Sequence, residues 1–153
     1  MNTPSLPIAV VMQRRRLDNP WQNEKWEAIE VRPAQQGAVA GEPRLLERED
    51  GRERWLWEGL EISLYTDEAE GYLLNVGSPE PRVFVCWRLE KDQARPEMAT
   101  VSYSEASRWI EGSESVDGVP LAPELVPWIR SFAERYYRPE PKRKRRRGTG
   151  YVD

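Results

Sequence analysis

A chain of 153 residues with 39% hydrophobic, 32% charged and 10% aromatic side chains has the composition of one globular domain, and its length supports a core without staples. It holds no histidine and a single cysteine, Cys86. This excludes an intrachain disulfide, Ser-His-Asp and Cys-His nucleophile arrangements, His-containing zinc or haem sites and ordinary iron–sulfur ligation. The net charge of −3 conceals a division, because Lys142, Arg143, Lys144, Arg145, Arg146 and Arg147 form a basic block and the remainder is acidic.

Leu6 to Arg15 is rich in β-branched residues, with Ile8, Val10 and Met12 on one face and Ala9 and Val11 on the other, and predicts a first strand. No apolar run approaches the roughly 18–20 residues of a membrane span, and Arg14, Arg15 and Arg16 follow the N-terminal apolar run where a secretory signal would place charges before it. A cytoplasmic protein without a membrane span is the expectation. Asp18-Asn19-Pro20 supplies turn chemistry, since a residue before proline is pushed out of the helical region and Asp or Asn accepts from following amides. Trp21 and Trp26 flank this turn. Trp26 to Arg32 alternates and predicts a second strand stopped at Pro33, followed by a Gly- and Ala-rich loop over 35–42.

From Arg44 onward the pattern predicts short strands at Leu45-Leu46, Trp55-Leu56-Trp57, Leu60 to Leu64, Tyr72 to Val76 and Val83 to Leu89. Asp50-Gly51, Glu58-Gly59 and Gly77-Ser78-Pro79 are the turn signals between them. The run around Val83 is apolar on both faces and belongs in the middle of a sheet. Ser102-Tyr103-Ser104-Glu105 has the capping-box form and opens a helix through Ala106, Trp109 and Ile110 that ends at Gly112. A second helix runs from about Pro123 or Glu124 to Tyr137, with Leu125, Trp128, Ile129, Phe132 and Tyr136 on one face and Pro127 in its first turn. The fold expectation is one α+β domain over 1–138, a mostly antiparallel meandering sheet or partial barrel with two C-terminal helices on one face. Residues 139–153, after Pro139 and Pro141, read as a mobile basic tail.

No Gly-x-Gly-x-x-Gly or Walker pattern occurs. Glu47/Glu49 and Asp67/Glu68/Glu70 read as solvated edges, and Cys86, amid Val83, Phe84, Val85 and Trp87, reads as a small buried hydrophobe. The expectation is therefore a protein without catalytic residues, metal ligands or cofactor, one that is not an enzyme. Partners are the better subject. The basic block over Lys142 to Arg147 reads either as a tail neutralised by its own acidic body or as an electrostatic handle for phosphate-rich or acidic partners. Seven tryptophans are many for this length. Trp55 and Trp57 share a face of one strand and are either core or, if that face is open, a stacking platform beside Arg52, Arg54 and Arg88. Asp18, Asn19, Pro20, Trp21 and Trp26 form either a partner-binding surface or a structural corner.

The segment Ile8 to Arg15, with Leu17-Asp18-Asn19-Pro20-Trp21-Gln22 and Trp26 after it, resembles the opening of a bacterial family of unknown function, domain-of-unknown-function family 3305. The resemblance continues through Trp55 to Leu64, Tyr72-Leu73-Leu74-Asn75, Val83 to Leu89, Thr100 to Trp109, Val119-Pro120-Leu121 and the Lys/Arg-rich end. Members of that family tend to be encoded beside formate dehydrogenase and molybdenum-cofactor genes. The resemblance implies a small accessory protein that assembles, or delivers cofactor to, a molybdenum- or tungsten-dependent oxidoreductase such as formate dehydrogenase. Its partner would be an oxidoreductase subunit or maturation factor, held through Asp18 to Trp26 with Trp55 and Trp57. The alternative partner is nucleic acid or a nucleotide derivative, held by the tail and Arg14-Arg16.

Overall fold

The computed structural model describes residues 3–139. Strands β1 (Ser5–Arg16), β2 (Glu24–Pro33), β3 (Arg44–Glu49) and β4 (Arg52–Ser63) are followed by helix α1 (Ala69–Val76). Strands β5 (Arg82–Glu90) and β6 (Gln93–Thr100), helix α2 (Tyr103–Glu111), strand β7 (Ser115–Pro120) and helix α3 (Val126–Tyr136) complete the chain order. Two antiparallel sheets result, one ordered β2-β1-β4-β3 and the other β6-β5-β7, and no barrel closes. β5 is the middle strand of its sheet, as its two apolar faces require.

The core lies between the sheets. Ile8, Val10 and Met12 of β1 meet Val83 and Val85 of β5 and Val119 of β7, and Tyr72, Val76, Ile129 and Ala133 of α1 and α3 close one end. Ala9 and Val11, on the opposite face of β1, are buried with Leu56 in a second, smaller cluster. Asn75 ties the layers together: its amide accepts from Arg82 N at 2.9 Å and donates to Arg82 O at 2.7 Å and Val101 O at 2.9 Å. Every polar atom of this buried side chain is engaged, so the amide rigidifies the junction instead of costing an unmet bond.

Three sequence expectations are corrected. Tyr72 to Val76 is helical, because Ala69, Tyr72 and Val76 recur at the spacing of one helical face and are buried, while Leu74 points to solvent. A Cβ on Gly71 would lie 2.1 Å from Ser102 Oγ, so only glycine allows α1 to approach the N-terminus of α2 so closely. Among the described residues there are accordingly three helices, of which two follow the β5–β6 hairpin. Glu58-Gly59 is a bulge inside one continuous strand rather than a turn: the register between β1 and β4 shifts between Ile8↔Leu60 and Val10↔Trp57. The extra residue switches strand phase, so odd-numbered Trp55 and Trp57 and even-numbered Leu60, Ile62 and Leu64 all reach the same core. Gly59 stands at φ +92, and a Cβ there would lie 2.2 Å from Ala40 N.

The third correction concerns the number of sheets. β6 and β7 carry little sequence signal, because both are edge strands of the second sheet and edges tolerate Pro96, Gly118 and Pro120. The single meander therefore divides into two sheets. They are joined by a carboxylate: β2 bulges where its register with β1 shifts between Val11 and Met12, and Ala28 N donates to Asp117 Oδ2 of β7 at 2.9 Å. Trp87 Nε1 donates to the same oxygen at 2.8 Å. Other elements match their expectations. Asp50-Gly51 turns the β3–β4 hairpin with Gly51 at φ +79. Ser102 caps α2 by accepting from Glu105 N at 3.0 Å, Gly112 ends that helix, and Pro127 sits in the first turn of α3. The glutamate half of the capping box is replaced, since Ser102 N donates to Thr100 Oγ1 instead.

Candidate partner-binding site

All three hairpin connections, β1–β2, β3–β4 and β5–β6, lie at one end of the sheets and α1 and α3 at the other. β1 spans both ends, and twelve residues at about 3.3 Å each separate them by on the order of 35 Å. The two ends differ in chemistry.

At the hairpin end the chain leaves β1 at Arg16 and returns at Glu24 through a loop closed by Leu17 N donating to Asn23 O at 2.9 Å. Asn19 Oδ1 accepts from Trp21 N at 2.8 Å, the two-residue bond that makes an Asn-Pro segment a fixed turn. Trp21 is 89% exposed at its tip, with Asp18, Asn19 and Pro20 exposed beside it. Of the residues grouped with it by sequence, Trp26 and Trp57 are only 5% and 7% exposed and belong to the core, and Trp55 is half-buried against it. Trp26 and Trp57 thus offer no surface to a partner, and no open tryptophan platform forms on β4. Trp55 Nε1 donates to Glu53 at 3.2 Å and Trp26 Nε1 to Glu24 at 3.2 Å, which satisfies their polar edges inside the protein.

The arginines near this loop are matched by carboxylates. Arg14 pairs with Glu24 at 2.7 Å and Glu53 at 3.7 Å, Arg15 with Glu27 at 3.8 Å, and Arg16 with Asp50 at 3.9 Å. On the outer face of the first sheet a polar rail crosses all four strands. Gln13, 8% exposed, donates to Glu27 at 3.2 Å and accepts from Arg54 at 3.1 Å, and Arg54 pairs with Glu47 at 3.5 Å. Arg52 bonds Glu47 and Glu49, and the Glu47 carboxyl is held below its ordinary range by its hydrogen bond with Glu49 and by Arg52 and Arg54. Arg14, Arg15 and Arg16 thus each have a carboxylate within 4 Å. The block Lys142, Arg143, Lys144, Arg145, Arg146 and Arg147 lies outside the described residues.

At the helix end a cleft of about 700 Å³ opens between α3, the 3-10 turn Thr66–Glu68 and the segment before β1. Sequence reading takes Trp128, Phe132 and Tyr136 as the core face of the last helix. In the structure Ile129 and Ala133 are the fully buried residues of that helix, and the three aromatics flank them half-covered. Tyr65, two residues beyond β4, lines the same cleft, and Phe132 packs on Tyr136 with ring centres 4.8 Å apart. The width of the apolar stripe on α3, broader than one buried row needs, is the signal that points to this concavity.

Cys86 is buried and its thiol donates to Glu114 at 3.8 Å; burial, with Glu114 adding to it, pushes the thiol up to about 11, the behaviour of a packing residue. Among the described residues no cluster of carboxylates or thiols has the arrangement of a metal site. No helix of these residues is long and apolar enough to cross a membrane.

The two-sheet α+β domain so defined is matched over residues 7–146 by the model of a family described as protein of unknown function (DUF3305), and the chain belongs to that family. No curated protein and no solved structure matches it.

Proposed function

We propose that the protein is a binding module that docks a protein partner through the Asp18–Trp21 turn. The observation that carries this reading is Trp21 itself. A tryptophan buries 150–250 Å² in a contact, and large aromatics are the residues most enriched among interface anchors. Leaving one almost wholly in water on a turn fixed by Asn19 lowers the ordering cost of placing that ring in a partner's pocket. Asp18 and Asn19, exposed on the same turn, supply polar groups beside it.

The finer identity of the partner rests on the family resemblance: an assembly or accessory role for a molybdenum- or tungsten-dependent oxidoreductase such as formate dehydrogenase, exercised in the cytoplasm without catalysis by this chain. A photo-crosslinking side chain at position 21 tests both levels. Adducts with an oxidoreductase subunit or maturation factor from position 21, and not from the equally exposed position 39, are expected. Adducts at equal yield from both positions would sink the docking reading.

A further inference from the structure

The cleft at the helix end is independent of the Trp21 turn, and its lining combines three chemistries. Tyr65, Trp128, Phe132 and Tyr136 contribute aromatic rings; Thr66, Asp67 and Ser131 contribute oxygen acceptors and hydroxyls; Arg135 contributes a guanidinium. The volume, about 700 Å³, is in the range of small-molecule sites. Arg135 lies over the Tyr136 ring with its guanidinium carbon 5.4 Å from the ring centre, so the cation is held at the wall of the cleft.

The charges are the informative part. On the strands and α2, arginine after arginine is matched by a carboxylate: Arg14, Arg32, Arg48, Arg52, Arg82, Arg88, Arg95 and Arg108 all make ion pairs. Among the described residues neither Arg135 nor Asp67 has an ion-pair partner, a condition Arg135 shares with Arg44, Arg130 and Arg138. Arg135 and Asp67 line the same cleft, contributed by different elements. A guanidinium without a carboxylate presents its fork of donors to an incoming anion. A carboxylate beside aromatic walls accepts from hydroxyl or ring N–H donors, the way acidic side chains hold ribose hydroxyls in nucleotide sites.

We propose that this cleft binds a small ligand of the mononucleotide class: a flat ring stacked among Tyr65, Trp128 and Tyr136, hydroxyl or N–H donors bonded to Asp67, and an anionic group on Arg135. Stacking on aromatic faces tolerates any base, so the lining fixes the class and not the base. This site is distinct from the basic tail and from Arg14-Arg16. It stands or falls separately from docking at Trp21.

Calorimetric titration of the full-length protein with adenosine monophosphate, guanosine monophosphate, adenosine and inorganic phosphate tests it. One-to-one binding of either monophosphate is expected, with adenosine about tenfold weaker and phosphate alone weaker still. Arg135→Gln, at an exposed position, removes the preference for the monophosphate over adenosine and leaves adenosine binding unchanged. Asp67→Asn weakens both nucleotide and nucleoside, and Tyr65→Ala does the same through the lost ring. Circular dichroism and thermal melting show whether each variant is folded. No saturable heat from either monophosphate at millimolar concentration would overturn the proposal, as would monophosphate affinity unchanged in folded Arg135→Gln. Binding of phosphate as tight as that of the monophosphate would overturn it too, by showing an anion site without a ring site.

Discussion

The two ends of the sheets solve the problem of exposed strand termini in opposite ways. At the hairpin end, turns close the strands and Arg14, Arg15 and Arg16 each stand against a carboxylate, while the Trp21 ring is almost wholly in water and Leu89 is also exposed. At the helix end, α1 and α3 cap the core with Tyr72, Val76, Ile129 and Ala133, and a helix cannot follow the curved end of a twisted sheet along its whole length. The uncovered margin becomes a concavity walled by aromatic rings, with Asp67 and Arg135 in its lining. One end thus projects an aromatic ring and the other encloses a space. A projecting ring suits a partner with a pocket, whereas a concavity suits a ligand small enough to enter.

The sharpest way to break this comparison is through the tryptophans, which the sequence presents as equals. Trp57→Ala removes a core ring and is expected to cost about 3–5 kcal/mol in urea unfolding. Asn75→Ala follows at about 2–4 kcal/mol, because Arg82 and Val101 lose the buried partners that close the junction of α1 with the second sheet. Gln13→Ala interrupts the polar rail between Glu27 and Arg54 at the hairpin end and is expected to cost about 1–2 kcal/mol, a smaller loss since both ends of the rail reach water. Trp21→Ala stays within about 0.5 kcal/mol of the parent. A cost for Trp21→Ala comparable with that for Trp57→Ala would make the turn a structural corner and erase the distinction.

The pH dependence of stability adds a check in the body of the sheets, away from both ends. The folded thiol of Cys86 titrates near 11 and its ordinary value is 9.0. A group whose folded value is raised stabilises the fold while it stays protonated. The contribution is intact below about pH 9 and is lost between there and about pH 11 as the unfolded chain gives up its proton first. Burial also raises the Tyr72 phenol, which extends the loss to higher pH. Urea midpoints falling across that window, with Cys86 resisting alkylation at pH 8 until denaturant is added, are the expected results; rapid alkylation of the native protein would contradict the burial.

Strands with clean alternation and turns with strong chemistry were legible in the sequence: β1 by Ile8, Val10 and Met12, the β3–β4 hairpin by Asp50-Gly51, α2 by Ser102 and Gly112. What escaped had a physical cause in each case. Tyr72 to Val76 is a short apolar run whose period a strand and a buried helix share, and only its docking on α2 and α3 decides between them. Gly59 looks like a turn because a bulge and a turn both interrupt alternation. β6 and β7 owe their existence to pairing with β5, not to their own residues. The Trp21 turn was visible as chemistry, Asn-Pro-Trp, but its exposure was not, since exposure depends on where the second sheet stops. The cleft left only one trace in the sequence, the broad apolar stripe of α3, because its walls come from the segments before β1 and after β4, the 3-10 turn and α3, far apart in the chain.

The central claim, that Trp21 is an anchor offered to a protein partner, is met most directly by comparing partner retention on wild-type and Trp21→Ala protein in a salt-washed pull-down. The variant, folded and as stable as the parent, should lose an oxidoreductase subunit that the wild type retains at high salt, since an aromatic contact is insensitive to ionic strength. Equal retention by the variant, or loss from both proteins in salt, would contradict it.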